Sequence, residues 1–168
     1  MNTTHERIKW LTLTAVLLAI TLAVQMIGLS QPITGPAVNA MLMLAGAFVG
    51  PVSGIIIGLL TPVVAFMRGI LAAPLAPMIP FIMVGNSVLV LLFWLGRRFI
   101  KGIVGSVVGI VAGSVVKFLI LSIAVNLIVS VPKPVAQAMQ FPQLINALIG
   151  GAIALAAEKA IKLALHNG

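Results

Sequence analysis

The chain has 168 residues, of which 61% are hydrophobic and only 7% are charged, and its mean hydropathy is +1.26. An ordinary soluble domain carries about 25% charged residues, so the composition excludes that class and predicts a single membrane domain spanning residues 1–168. The formal net charge of +8 does not indicate nucleic-acid binding, because the basic residues form short clusters between apolar runs without interleaved aromatic residues.

Proline and glycine divide the apolar sequence into candidate membrane spans. The apolar stretches cover residues 8–28, 37–67, 81–96, 103–131 and 143–165. Several of them approach the ~20 residues that a helix needs to cross a bilayer. Arg7 and Lys9 before the first stretch fit the outline of a cleaved signal, but no clear small-x-small cleavage site follows, so we expect this stretch to be retained. The predicted fold class is therefore an all-α polytopic membrane protein.

The basic residues decide whether the stretch 37–67 is one kinked helix or a helical hairpin. Basic residues collect on the cytoplasmic side of membrane proteins, and Arg7 and Lys9 place the N-terminus there. One kinked helix would leave the basic cluster at residues 97–101 outside, whereas a hairpin at Gly50–Pro51 brings it inside together with the lysines near the C-terminus. The sequence thus predicts six transmembrane helices with both termini in the cytoplasm.

The strongly polar residues of these spans all fall in the predicted outer half. Lys117 follows the cytoplasmic start of its span by about 15 residues, or about 22 Å at 1.5 Å per residue. Because an ammonium at the bilayer centre costs ~2.5–3.5 kcal/mol on insertion scales, this lysine needs a partner. A channel would carry polar groups at all depths, so the distribution favours a pocket open to the outside. The candidate substrate-binding residues are Lys117, Asn86, Asn146, Gln143 and Ser114.

These polar residues also have structural interpretations, which the sequence alone leaves open. Lys117 could snorkel towards the surface or bond the carbonyls of a neighbouring helix. Asn86 and Asn146 could make the interhelical hydrogen bonds that are common for membrane amides. Gln25, late in the first span, and Asn39, at the beginning of the second, are interpreted as structural.

A strip of small residues follows one side of the first span. Ala15, Ala19 and Ala23 recur every four residues, which lets another helix backbone approach closely. The strip is either an external docking face for a partner or part of the packing within the chain's own bundle.

A six-span chain of this size with AxxxA in its first helix resembles the substrate-binding S-component of an energy-coupling factor (ECF) transporter. The stretch GPVSGIIIGLL, residues 50–60, resembles the turn and third helix of the riboflavin-type branch. The resemblance implies that the alanine strip meets a transmembrane coupling subunit, which works with two ATPase subunits. It also implies a pocket in the outer half, covered by the loop at residues 29–36.

In the riboflavin-type branch, an asparagine of helix four and a lysine of helix five contact the ligand, and Asn86 and Lys117 resemble them. The chain departs from this branch in two places. Ser114 is found near the lysine without the expected asparagine of helix five, and Val38-Asn39-Ala40 replaces the charged residues often found at the start of helix two.

Catalysis is not expected, and no cofactor or metal is predicted. The only carboxylates, Glu6 and Glu158, lie near the cytoplasmic ends, and the chain has no cysteine. A Ser114–Lys117 dyad at i, i+3 is a common chance spacing.

We therefore expect the binding subunit of an ECF-type importer in the bacterial plasma membrane, which captures a vitamin or similar small organic nutrient. The alternatives are a self-contained transporter that works as an oligomer and a purely structural membrane subunit; the first usually requires a membrane carboxylate for proton coupling.

Overall fold

A computed structural model describes residues 3–166 of the chain, and these are almost entirely helical. The α-helices are α1 (Thr3–Met26), α2 (Gln31–Phe48), α3 (Pro51–Met67), α4 (Ile79–Phe99), α5 (Gly102–Ile123), α6 (Lys133–Ala138) and α7 (Phe141–His166). A 3₁₀ segment, Ala73–Met78, leads into α4, and a π-helical segment, Ala124–Ile128, extends α5. Six of these helices are long, and α6 is a single short connection, so the predicted all-helical fold is confirmed.

The hairpin predicted at Gly50–Pro51 is present between α2 and α3. Gly50 has a φ of 124°, which glycine adopts without the steric cost that a Cβ would bring. Pro51 then begins α3, where its missing N–H is not needed and its fixed φ suits the helix. The two helices lie side by side, since a Cβ on Gly54 would come within 2.7 Å of the Leu42 carbonyl oxygen.

The loop expected at residues 29–36 is mostly helical, which corrects the sequence-based prediction. α2 already begins at Gln31. The prolines at positions 32 and 36 favoured a loop in the sequence. Pro32 lies in the first turn of α2, which tolerates proline because its N–H groups have no partner there, whereas Pro36 lies inside the helix. The Thr34 hydroxyl also donates to the Leu29 carbonyl oxygen at 2.9 Å, which ties this turn to the end of the preceding connection.

α4 and α5 pack against each other along a row of glycines. Gly105, Gly109 and Gly113 recur every four residues of α5, and each one lies against the backbone of α4 or of its C-terminal end. A Cβ on Gly109 would lie 2.8 Å from the Leu92 carbonyl oxygen, so the missing side chain allows the close approach. Lys117 is the next position in this row, and the packing therefore directs it into the bundle.

The two ends of the bundle differ in chemistry. At one end, which we call the pocket end, α1, α3 and α5 finish and α2, α4 and α7 begin. At the other, the basic end, Arg97 of α4 pairs with Glu158 of α7. Between them lies an apolar core with Met43, Leu89 and Phe93 at its centre.

Four helical stretches among the described residues are long and apolar enough to cross a membrane. They are Thr4–Met26, Ala73–Phe99, Gly102–Ile128 and Lys133–Leu165. α3 is apolar but only 17 residues long. Six crossings and cytoplasmic termini stay predictions.

Candidate substrate-binding site

Lys117 lies at the centre of a hydrogen-bond network that joins four helices. Its side chain is buried, and Nζ donates to Asn39 Oδ1 of α2 at 2.7 Å and to Asn86 Oδ1 of α4 at 2.8 Å. Asn86 Nδ2 in turn donates to the Gly58 carbonyl oxygen of α3 at 3.0 Å. With a relative exposure of 2%, Lys117 does not snorkel to the protein surface.

Glycines make room for this network. A Cβ on Gly85 would lie 3.1 Å from Lys117 Cγ, and one on Gly58 would lie 2.9 Å from Asn86 Cβ. Both glycines belong to helices that face the network, so α3, α4 and α5 approach closely around it. A bulkier residue at either position would displace the polar side chains.

The ammonium of Lys117 has amide partners but no carboxylate within hydrogen-bonding distance among residues 3–166. An ammonium offers three donors, and two of them are used here. Glu158 is engaged at the basic end by Arg97 and Lys162, and Glu6 lies in the first turn of α1. The positive charge is therefore compensated only by the dipoles of two amides.

A cavity of about 100 Å³ opens beside the network at the pocket end. Its polar lining consists of Gln25, Gln31, Thr34, Asn39, Thr61, Asn86 and Gln143. Its apolar lining consists of Val38, Pro62, Ala65, Ile70, Leu71, Ile82 and Met139, with Gly35 at the wall. Among these described lining residues there is no acidic and no aromatic side chain.

Of the five predicted binding residues, Asn86 and Gln143 line the cavity. Lys117 does not line it, but it donates hydrogen bonds to Asn39 and Asn86, which do. Gln143 donates from Nε2 to the Ala138 carbonyl oxygen at 3.2 Å. Asn146 and Ser114 are buried but lie outside the cavity wall. Asn146 Nδ2 and Ser114 Oγ have no hydrogen-bond partner in the described part of the chain.

Asn39 and Gln25, which we interpreted as structural, both line the cavity. The Oδ1 atom of Asn39 accepts from Lys117, while its amide nitrogen makes no hydrogen bond within residues 3–166. Since the cation holds the oxygen, the NH₂ group is the end of Asn39 that remains for a ligand. The signal for Asn39 was present in the sequence, because it falls in the same outer half as Lys117.

The alanine strip faces away from the bundle. Ala15, Ala19 and Ala23 are exposed, whereas Thr14 and Thr21 of the same helix are buried. The strip therefore does not belong to the core formed by the described residues. Binding of a partner to it stays a prediction.

The basic end is tied together by a buried carboxylate. Glu158 accepts a two-pronged contact from the Arg97 guanidinium, at 2.6 Å and 2.7 Å, and a further contact from Lys162 Nζ at 2.6 Å. Glu158 is only 7% exposed. The pairing joins the last turn of α4 to α7 at the end of the bundle opposite the cavity.

A comparison of the sequence with models of protein families gave a match. The model of a family described as "ECF transporter, substrate-specific component" matches residues 9–158, which is most of the chain and includes every residue of the Lys117 network. Comparisons with curated proteins and with solved structures gave no significant match.

Proposed function

The chain belongs to the family of substrate-specific components of ECF transporters, and from this premise we propose that it captures a vitamin or similar small organic nutrient in the cavity at the pocket end. The nutrient then passes through a coupling module that consists of one transmembrane subunit and two ATPase subunits. The site lies in the bacterial plasma membrane with the cavity facing outwards. The chain itself supplies recognition, and the partners supply the energy.

The observation that carries this proposal is the buried charge of Lys117 beside a cavity, with two amide partners but no carboxylate partner among residues 3–166. Hydrogen bonds to charged groups contribute ~1.5–3 kcal/mol, and they strengthen where water is excluded. A substrate that places a carboxylate, a carbonyl or a ring nitrogen near Asn39 and Asn86 would gain from the cation behind them. The charge thus favours an acceptor-rich, neutral or anionic substrate over a cationic one.

The lining narrows the class of substrate further. Its apolar residues suit an aliphatic or ring-shaped body, but the described lining offers no aromatic face for stacking. Gln25, Thr34 and Thr61 can bond further polar groups on the substrate. Riboflavin is one candidate among such compounds, since the family match does not extend to the riboflavin-type branch.

We also propose that the chain has no enzymatic activity of its own. The Lys117 network consists of one ammonium and two amides, with the ammonium held by the two amide oxygens, and it includes no carboxylate that could exchange a proton with a substrate. A binding subunit needs such a preorganised set of donors and acceptors but no reactive group.

The test is to identify the ligand and then follow its transport. Mass spectrometry of the detergent-purified chain should reveal one small organic compound bound in near-stoichiometric amount. Uptake of that compound into proteoliposomes should require ATP and a reconstituted coupling module. Uptake by the chain alone, or a purified chain that binds no such compound from a nutrient mixture, would contradict the proposal.

A further inference from the structure

A second concave site lies at the basic end, far from the substrate cavity. It is a groove of about 860 Å³ between the last turns of α4 and α7 and the first turns of α5. Its rim carries Arg97, Lys159 and Lys162, and its floor includes Ser106 and Leu155. We call it the basic groove.

The charges of the basic groove do not cancel. Glu158 is its single carboxylate among the described lining residues, and it faces three basic side chains, which leaves two positive charges in excess. The start of α5 adds to this potential, because Lys101 is its N-cap and its first turn contains no acidic residue. The N-terminal end of a helix carries a partial positive charge, so this arrangement favours a bound anion.

The hydroxyl of Ser106 adds a hydrogen-bonding group to the same groove. Ser106 lines the groove and is only 6% exposed. Its Oγ makes no hydrogen bond to any residue between 3 and 166, so the hydroxyl is available to a group bound in the groove. It is thus a donor within the groove that a ligand could satisfy.

The apolar part of the groove indicates which anion fits. Ile103 and Leu163, both lining residues, are 64% and 54% exposed, and further apolar side chains continue along the outer face of α5. A free phosphate would leave this apolar surface uncovered. A phospholipid would cover it with an acyl chain while its headgroup reaches the basic rim.

We propose that the basic groove binds the headgroup of an anionic phospholipid, with one acyl chain along Ile103 and Leu163. The lipid would brace the ends of α4, α5 and α7 against one another. The inference does not depend on which nutrient the other end binds. It requires only that the chain resides in a membrane, as its family does.

The test measures lipid retention by native mass spectrometry of the full chain, titrated with phosphatidylglycerol or with zwitterionic phosphatidylcholine. We expect selective retention of phosphatidylglycerol. Lys159→Gln should weaken it about fivefold, since a basic residue near an anionic surface contributes ~1 kcal/mol. Lys133→Gln is the matched control, because it removes the same charge from an exposed position at the pocket end and should change nothing.

The outcomes separate the possible occupants. Ser106→Val should also lower retention of phosphatidylglycerol while the melting temperature in detergent without lipid stays unchanged. Equal retention of both lipids, or equal losses in Lys159→Gln and Lys133→Gln, would overturn the proposal. So would displacement of the lipid by millimolar inorganic phosphate, which would reveal a general anion site. If Lys159→Gln left lipid retention intact but abolished assembly with the coupling module, the groove would be a protein interface instead.

Discussion

Lys117 Nζ binds the oxygen ends of Asn39 and Asn86, and this determines which end of each amide is left over. For Asn86 the remaining NH₂ group is used by the Gly58 carbonyl oxygen. For Asn39 it is free to serve a ligand in the cavity. The lysine therefore orients the donor of Asn39 and adds its own charge behind it, without lining the cavity itself.

We predict that Lys117→Met weakens substrate binding about ten- to a hundredfold, because a charge-assisted interaction worth ~1.5–3 kcal/mol is lost. Stability should be unchanged or higher. The substitution removes a buried charge, and Asn39 can then turn its NH₂ group towards Asn86 Oδ1. Isothermal titration with the identified ligand and thermal unfolding of the same samples would measure both effects, with Lys133→Met as the control. Unchanged affinity would show that the lysine has no part in binding.

A double-mutant cycle separates the two possible roles of Lys117. If the lysine acts through Asn39, then Asn39→Ala combined with Lys117→Met should weaken binding no more than the more harmful single substitution does. Fully additive losses would mean instead that the substrate contacts Lys117 directly, as the sequence predicted, and contacts Asn39 separately.

The sequence was sufficient to single out Lys117, because the cost of an ammonium in hydrocarbon predicts a partner. Asn86 was among the amides expected near it, but the sequence did not indicate Asn39 as its second partner. Asn39 is 78 positions away, and its meeting with Lys117 depends on how α2 and α5 are rotated about their axes. Ser114 shows the same limit. Helical spacing correctly placed it beside Lys117, but spacing could not show whether its side chain would reach the cavity.

At the scale of the helix, the chain has two rows of small residues at a spacing of four residues, and their surroundings differ. The glycine row of α5 (Gly105, Gly109 and Gly113) is covered by α4, whereas the alanine strip of α1 is exposed. Spacing alone predicts that a backbone can approach closely, but not whether the approaching helix belongs to the same chain. Glycine allows the closer contact, which is consistent with the row that the bundle itself uses.

Gly109→Ala should destabilise the bundle by about 1–3 kcal/mol, since the added methyl group would meet the backbone of α4, which cannot move aside cheaply. Gly46→Ala is the control. Its Cβ would lie 3.1 Å from Val90 Cγ1, the end of a side chain that can shift, so we expect a smaller loss. Thermal unfolding in one detergent would compare the two. An equal or smaller loss for Gly109→Ala would show that the glycine row does not control the packing of α4 on α5.

For the alanine strip, we predict that Ala19→Trp abolishes co-purification with the coupling module but leaves the isolated chain folded and able to bind its ligand. The exposed position has room for an indole in lipid but not beneath a docked helix. Leu13→Trp adds the same ring to another exposed side of α1 and should leave assembly intact. Unfolding of the isolated Ala19→Trp chain would mean that the strip is needed for the chain's own packing.

At the scale of the whole molecule, hydropathy and punctuation by proline and glycine predicted the order of the long helices and the hairpin at Gly50. The boundaries were less accurate where proline was involved, as at the start of α2. The division of the bundle into a pocket end and a basic end was also foreseen, because most basic residues fall at one predicted end of the spans and the amide residues towards the other. Their contacts could not be foreseen, since they depend on helix rotation and not on depth.

This division predicts an orientation in the membrane, which is the subject of the last prediction. Seven of the ten basic residues fall at or near the predicted cytoplasmic ends. Basic residues are retained on the cytoplasmic side, so the cavity should open outwards.

The chain has no cysteine, so single cysteines can be introduced without background. In intact cells a membrane-impermeant maleimide should label Leu29→Cys and Ser130→Cys, which lie at the pocket end. It should reach Ile100→Cys and Leu165→Cys only after permeabilisation. Labelling of Ile100→Cys from outside would contradict six spans with cytoplasmic termini, and the cavity would then face the wrong side for capturing a nutrient.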